Sequence, residues 1–98
     1  MMARVFDEKG GDYILKLTGE YEYDAIQIMS LLGGDFDSME LSYNSAILFN
    51  KDKGKWGQDV VLNTRATEHI NKEYGVVMPV PGLAIIIDLD DYMVTEHA

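Results

Sequence analysis

The chain has 98 residues, 47% of them hydrophobic, a net charge of −9, a pI near 4.4 and no cysteine. Such a length makes one domain, and that apolar share is enough for a core. The missing cysteines exclude disulfides, thiolate metal sites and a thiol nucleophile, and they fit a reducing cytoplasm. The acidity argues against direct contact with nucleic-acid phosphates. No apolar run approaches the roughly 18–20 residues of a membrane span, and "MMARVFDEKGGD" lacks the apolar core of a leader. The expectation is a protein of the cytoplasm with no membrane partner.

Residues 2–6, "MARVF", form a short strand candidate, followed by the turn "DEKGGD". Residues 12–18, "DYILKLT", alternate, with Tyr13, Leu15 and Leu17 on one face and Ile14, Lys16 and Thr18 on the other. Gly19 ends this strand. Asp24 is then expected as the N-cap of a helix, "AIQIMSLL", closed by Gly33 and Gly34. The interior of that helix carries no charge, so it is expected to be buried on most sides and to add to the case for a homo-oligomer.

"FDSMELSY" alternates again, with Met39, Leu41 and Tyr43 on one face, and "AILFN" follows. Asn44 and Ser45 between two strand-like runs predict a tight hairpin. "KDKGKWG" reads as a polar loop and "QDVVL" as a short strand or extended segment. The spacing predicts a helix over 64–73, capped by Asn63 and ended by Gly75. Pro79 and Pro81 hold "VVMPVPG" extended and outside a central strand. "LAIIIDL" is apolar on both faces, as a central strand must be, and "DDYMVTEHA" is an acidic tail. The order favours an α+β fold: a small, mostly antiparallel sheet of four to five strands with two short helices, the last strand returning to the middle.

Few side chains suggest chemistry. Asp35, Asp37 and Glu40, like Asp88, Asp90 and Asp91, do not follow the offsets of a calcium loop, so no metal is expected. No cofactor is expected either. His69 has no implied nucleophile or orienting group, and His97 sits next to the end of the chain, so no catalytic residue is assigned. "LLGGD" is no phosphate loop, because it lacks the Gly-Lys-Ser/Thr ending and follows a helix. Two candidate sites remain. One is a partner-binding surface. There is no Lys or Arg between Lys16 and Lys51, while Asp35, Asp37 and Glu40 lie in that gap and Trp56 stands between two glycines as a possible anchor. These features suit a basic or nucleic-acid-binding protein as partner. The other is a ligand-binding corner at "VVLNTRATEHI". There Asn63 caps the helix, its N-terminal N–H groups suit an anion, and Arg65 adds a planar fork. The competing reading of that corner is a capped helix and nothing more.

"IQIMSLLGGDFDSMEL", "AILFNKDKGK", "VVLNTRATEHI" and "VMPVPGLAIII", in that order and spacing, resemble an uncharacterised family of small phage, prophage and plasmid proteins, domain of unknown function 3846. The similarity spans roughly residues 13–90. In "MPVPG" the chain has a proline pair where the family more often has a glycine and an acidic residue, and "GKWGQD" is unusually polar. The resemblance implies a mobile-element setting and no known reaction, cofactor or catalytic residue. Function is therefore expected to be non-enzymatic: an accessory protein of a phage or mobile element that binds a host or element protein, with counter-defence as one such role. The alternative is a binder of a nucleotide or other small anion.

Overall fold

The computed structural model describes residues 2–52 and 61–88. Within them the elements run β1 (Met2–Phe6), β2 (Asp12–Lys16), α1 (Tyr21–Leu32), β3 (Phe36–Ser42), β4 (Ser45–Asn50), α2 (Thr64–Tyr74) and β5 (Ala84–Asp88). The five strands form one sheet in the order β2-β1-β5-β4-β3, with every neighbouring pair antiparallel. The fold is α+β, and the last strand does return to the centre.

β5 takes the middle because its sequence tolerates nothing else. Ile85 and Ile87 point to one face and Ala84 and Ile86 to the other, and all four are buried. Fully burying a large aliphatic side chain contributes about 1.5–3 kcal/mol, so a strand apolar on both faces gains most where both faces are covered. One face packs on α1: Ala3, Val5, Leu17, Ala46, Leu48, Ile85 and Ile87 meet Ile28 and Leu32. The other packs on α2: Phe6, Leu41, Ile47, Ala84 and Ile86 meet Ala66 and Ile70.

The α1 expectations need two corrections. The helix starts a turn earlier than expected, with Glu20 as its N-cap, and Asp24 lies inside the first turn. The Asp24 carboxylate is 1% exposed and accepts from the Thr18 and Gly19 amides and the Thr18 hydroxyl, at 2.8–2.9 Å. It therefore ties down the loop before the helix rather than capping the helix. Nor is α1 buried on most sides. Only Asp24, Ile28 and Leu32, at fourfold spacing, are buried, while Ile26 is 66% exposed. One sheet face can cover one helical stripe and no more. At its end, Gly33 has φ 82°, which a glycine adopts without strain, and the Asn50 side-chain amide donates to the Leu32 carbonyl.

The β3–β4 hairpin differs by one residue from expectation. Its turn is Tyr43–Asn44, Ser42 faces Ser45, and the register shifts between Glu40 and Ser42. A bulge absorbs one residue and moves the turn back. Tyr43 therefore leaves the Met39 and Leu41 face and stands 86% exposed. α2 spans nearly the residues expected, from its Asn63 cap to Gly75 at φ 69°. The segment 76–80 has no regular structure, Pro81 bridges Leu62, and Gly82 turns the chain with φ 66° before β5. No helix among the described residues is long and apolar enough to cross a membrane.

Candidate functional site

The α2 corner is built around Asn63, 2% exposed. Its side-chain oxygen accepts from the Ala66 amide at 3.0 Å, as a cap should. Its side-chain NH₂ donates to the carbonyls of Phe6 at 2.9 Å, Gly82 at 2.8 Å and Asp7 at 3.3 Å. One asparagine thus joins α2, the end of β1 and the approach to β5. Beside it, the Val80 amide donates to the Thr67 hydroxyl at 2.9 Å and holds the segment before β5 on the helix.

Arg65 faces the other way. Its guanidinium meets Asp12 Oδ2 at 2.6 Å and donates to the Gly10 carbonyl at 3.3 Å. Arg4 reaches the same oxygen at 3.3 Å and lies over the Phe6 ring, 5.0 Å from its centroid. Partial desolvation acts to raise the Asp12 pKa. The hydrogen bonds from Arg65 and Arg4 outweigh it and hold the carboxyl below its ordinary value. His69 packs against Phe6 with ring centroids 4.9 Å apart and planes tilted by 41°, and it meets the Tyr74 ring edge-on at 6.3 Å. Desolvation, with the Arg4 charge second, lowers its pKa below the ordinary value. Asn63 and Arg65 are therefore neighbours with separate duties: one is a buried tie, and the other is half of a two-arginine clasp on a carboxylate of the same chain.

The acidic segment forms a different region. Leu17 to Asn50, free of Lys and Arg, folds into α1, β3 and β4, which pack together at one side of the sheet. Asp35, Asp37 and Glu40 are all exposed. They share the β3 edge but not a face: Glu40 lies on the α1 side with Ser38, whereas Asp37 pairs with Phe49 on the other side. Between α1 and β3 runs a cleft of about 290 Å³ whose lining includes Tyr21, Ala25, Ile28, Phe36, Leu48 and Glu40. Tyr21, on the cleft wall, is 66% exposed, and Tyr23, on the opposite side of α1, is 65% exposed. Trp56, His97, Asp90 and Asp91 lie outside the described residues. Among the described residues no group of three His, Cys, Asp or Glu is placed to hold a metal ion.

The parts that Asp12, Arg4, Asp24 and Thr67 play escaped the sequence reading. Asp24 looked like a cap, and nothing in the spacing of Arg4, Asp12 and Arg65 shows that β1, β2 and α2 converge. The chain matches no family model, no curated protein and no solved structure.

Proposed function

We propose that this is a non-enzymatic accessory protein of a phage or mobile element that binds a basic, host- or element-encoded protein through its acidic side. The observation that carries the reading is the union of α1, β3 and β4 into one region without a positive charge, where exposed Tyr21 lines an apolar cleft rimmed by Glu40. An exposed aromatic side chain at a concave apolar site, with acidic charge around it, suits a partner that brings basic side chains to the rim. Nucleic-acid-binding proteins of a bacterial cytoplasm have that chemistry, and blocking one of them is the counter-defence version of this role. The mobile-element setting rests on the sequence resemblance. Arg65 is already engaged by Asp12, which weighs against the alternative of an anion ligand held by Asn63 and Arg65.

The test is affinity capture from the bacterial host with the wild type and with Asp35→Asn/Asp37→Asn/Glu40→Gln. Capture of a basic protein that weakens with salt and with the triple substitution supports the reading, because steering by exposed charge is screened by ions. Equal capture by both proteins at all salt concentrations would remove the acidic surface from the function.

A further inference from the structure

The sheet ends in two outer strands, and they are protected differently. β3 carries Asp37 and Glu40 and a bulge, devices that discourage another strand from pairing with it. β2, "DYILK", has no bulge, and its two charges, Asp12 and Lys16, are opposite in sign and sit at its two ends. Its register with β1 is unbroken from Asp12 to Lys16, and among the described residues no strand pairs with its outer side. It also exposes apolar surface: Ile14 is 59% and Tyr13 43% exposed, and Met2 on the adjacent strand is 63% exposed.

We propose that β2 is an interface with a second copy of this chain, the two β2 strands pairing antiparallel about a two-fold axis at Ile14. Such an axis, perpendicular to the sheet, opposes only residues of the same face. In this register Asp12 faces Lys16 of the second copy, Lys16 faces its Asp12, Tyr13 faces its Leu15, and Ile14 faces its Ile14. The strand is self-complementary in charge because its acid and its base are equidistant from Ile14. Moving the axis to Tyr13 or Leu15 sets an apolar residue against Asp12 or Lys16 and loses both charge pairs. Arg4 and Arg65 both engage Oδ2 of Asp12, leaving Oδ1 for the incoming ammonium. The β3 edge cannot do the same, since its ionic residues are all acidic. The product is a ten-stranded sheet with α1 helices on one face, α2 helices on the other, and an acidic β3 edge at each far end. Two partner-binding surfaces then face away from each other. The dimer stands on β2 alone and does not depend on what the acidic side binds.

The chain has no cysteine, so one introduced thiol reports on the register. Opposed residues of antiparallel strands lie about 4.5–5.5 Å apart at Cα, within the range a disulfide accepts. Under mild oxidation Ile14→Cys should shift from 11.0 kDa to twice that mass, while Ser38→Cys on β3 should not. The wild type should sediment as a dimer at micromolar concentration. Ile14→Lys, which sets two ammonium groups across the axis, should sediment as a folded monomer with unchanged circular dichroism. A monomeric wild type, equal crosslinking at the two cysteines, or a dimer that persists in Ile14→Lys would each overturn the proposal.

Discussion

Arg65 and Asp12 meet at 2.6 Å, so the planar fork at the head of α2 is already closed on a carboxylate of the same chain. Arg4 occupies the same oxygen, and the corner therefore holds two guanidiniums and one internal anion. This arrangement has a direct consequence for ligand binding. Inorganic phosphate or a nucleotide should give no rise in the melting temperature of the wild type, since a ligand stabilises only what it binds. Asp12→Asn removes the internal anion and leaves two forks suited to phosphate. That variant should gain a phosphate-dependent rise, and Asp12→Asn/Arg65→Ala should lose it. A thermal-shift series decides the matter. A phosphate-dependent rise in the wild type that vanishes in Arg65→Ala would restore the ligand-binding reading of this corner.

Asn63 predicts a second outcome. If it were only a cap, Asn63→Ala would cost about 0.5–2 kcal/mol. It also donates to three carbonyls, two of them through fully buried bonds, and each buried acceptor left unsatisfied costs about 1–3 kcal/mol. The expected loss in urea denaturation is therefore about 3–5 kcal/mol, a large part of the roughly 5–15 kcal/mol that holds a small domain. Asn63→Asp is the sharper variant. It keeps the cap oxygen but turns an acceptor toward the Phe6 and Gly82 carbonyls, so it should be at least as damaging. A loss of only about 1 kcal/mol for either variant would return Asn63 to the role of a simple cap.

What the sequence revealed and what it hid follow the range of the interactions. α2, its Asn63 cap and its Gly75 ending were legible because capping is settled within four residues. β5 was legible because only a central strand tolerates Leu83 to Ile87 all apolar. The start of α1 was not, since Asp24 has the right chemistry for a cap and only its distance from Thr18 and Gly19 in the folded chain shows its task. The hairpin turn shifted because a bulge between Glu40 and Ser42 leaves no mark on the alternation until Tyr43 falls out of it. The Arg4–Asp12–Arg65 clasp joins residues up to 61 positions apart, and no local pattern encodes it.

Asp24 supports a third prediction. Its carboxylate accepts the Thr18 and Gly19 amides while 1% exposed, so removing it strands two donors and frees the loop that feeds α1. Asp24→Ala should destabilise by about 2–4 kcal/mol, the range for lost hydrogen bonds to a charged acceptor and unsatisfied buried groups. Thr18→Val removes only the hydroxyl's share, and combining it with Asp24→Ala should cost less than the sum, because the two act as one unit. Strict additivity in chemical denaturation would show that the Thr18 hydroxyl and Asp24 are energetically independent.

His69 gives the protein a pH dependence whose sign is fixed by its surroundings. Packing against Phe6 and the Arg4 charge disfavour the imidazolium, so the folded-state pKa lies below the ordinary 6.5. The unfolded chain then binds the proton more readily, and stability rises with pH wherever the unfolded state holds more protons. The stabilisation tied to neutral His69 is complete above 6.5 and is lost as the pH falls through the folded-state value. Asp12, with its own pKa lowered from 3.8, adds a second loss at more acidic pH, as that carboxylate is protonated. The melting temperature should therefore fall in two steps on acidification. His69→Gln should remove the first step and keep the second, because glutamine fills the site without titrating and leaves Asp12 with its arginines. Asp12→Asn should remove the second and slightly enlarge the first, since the Asp12 charge is a minor influence that raises the His69 pKa. A wild-type melting temperature that is flat from neutrality down to the carboxylate range would show that the Phe6–His69 contact does not discriminate between the two protonation states.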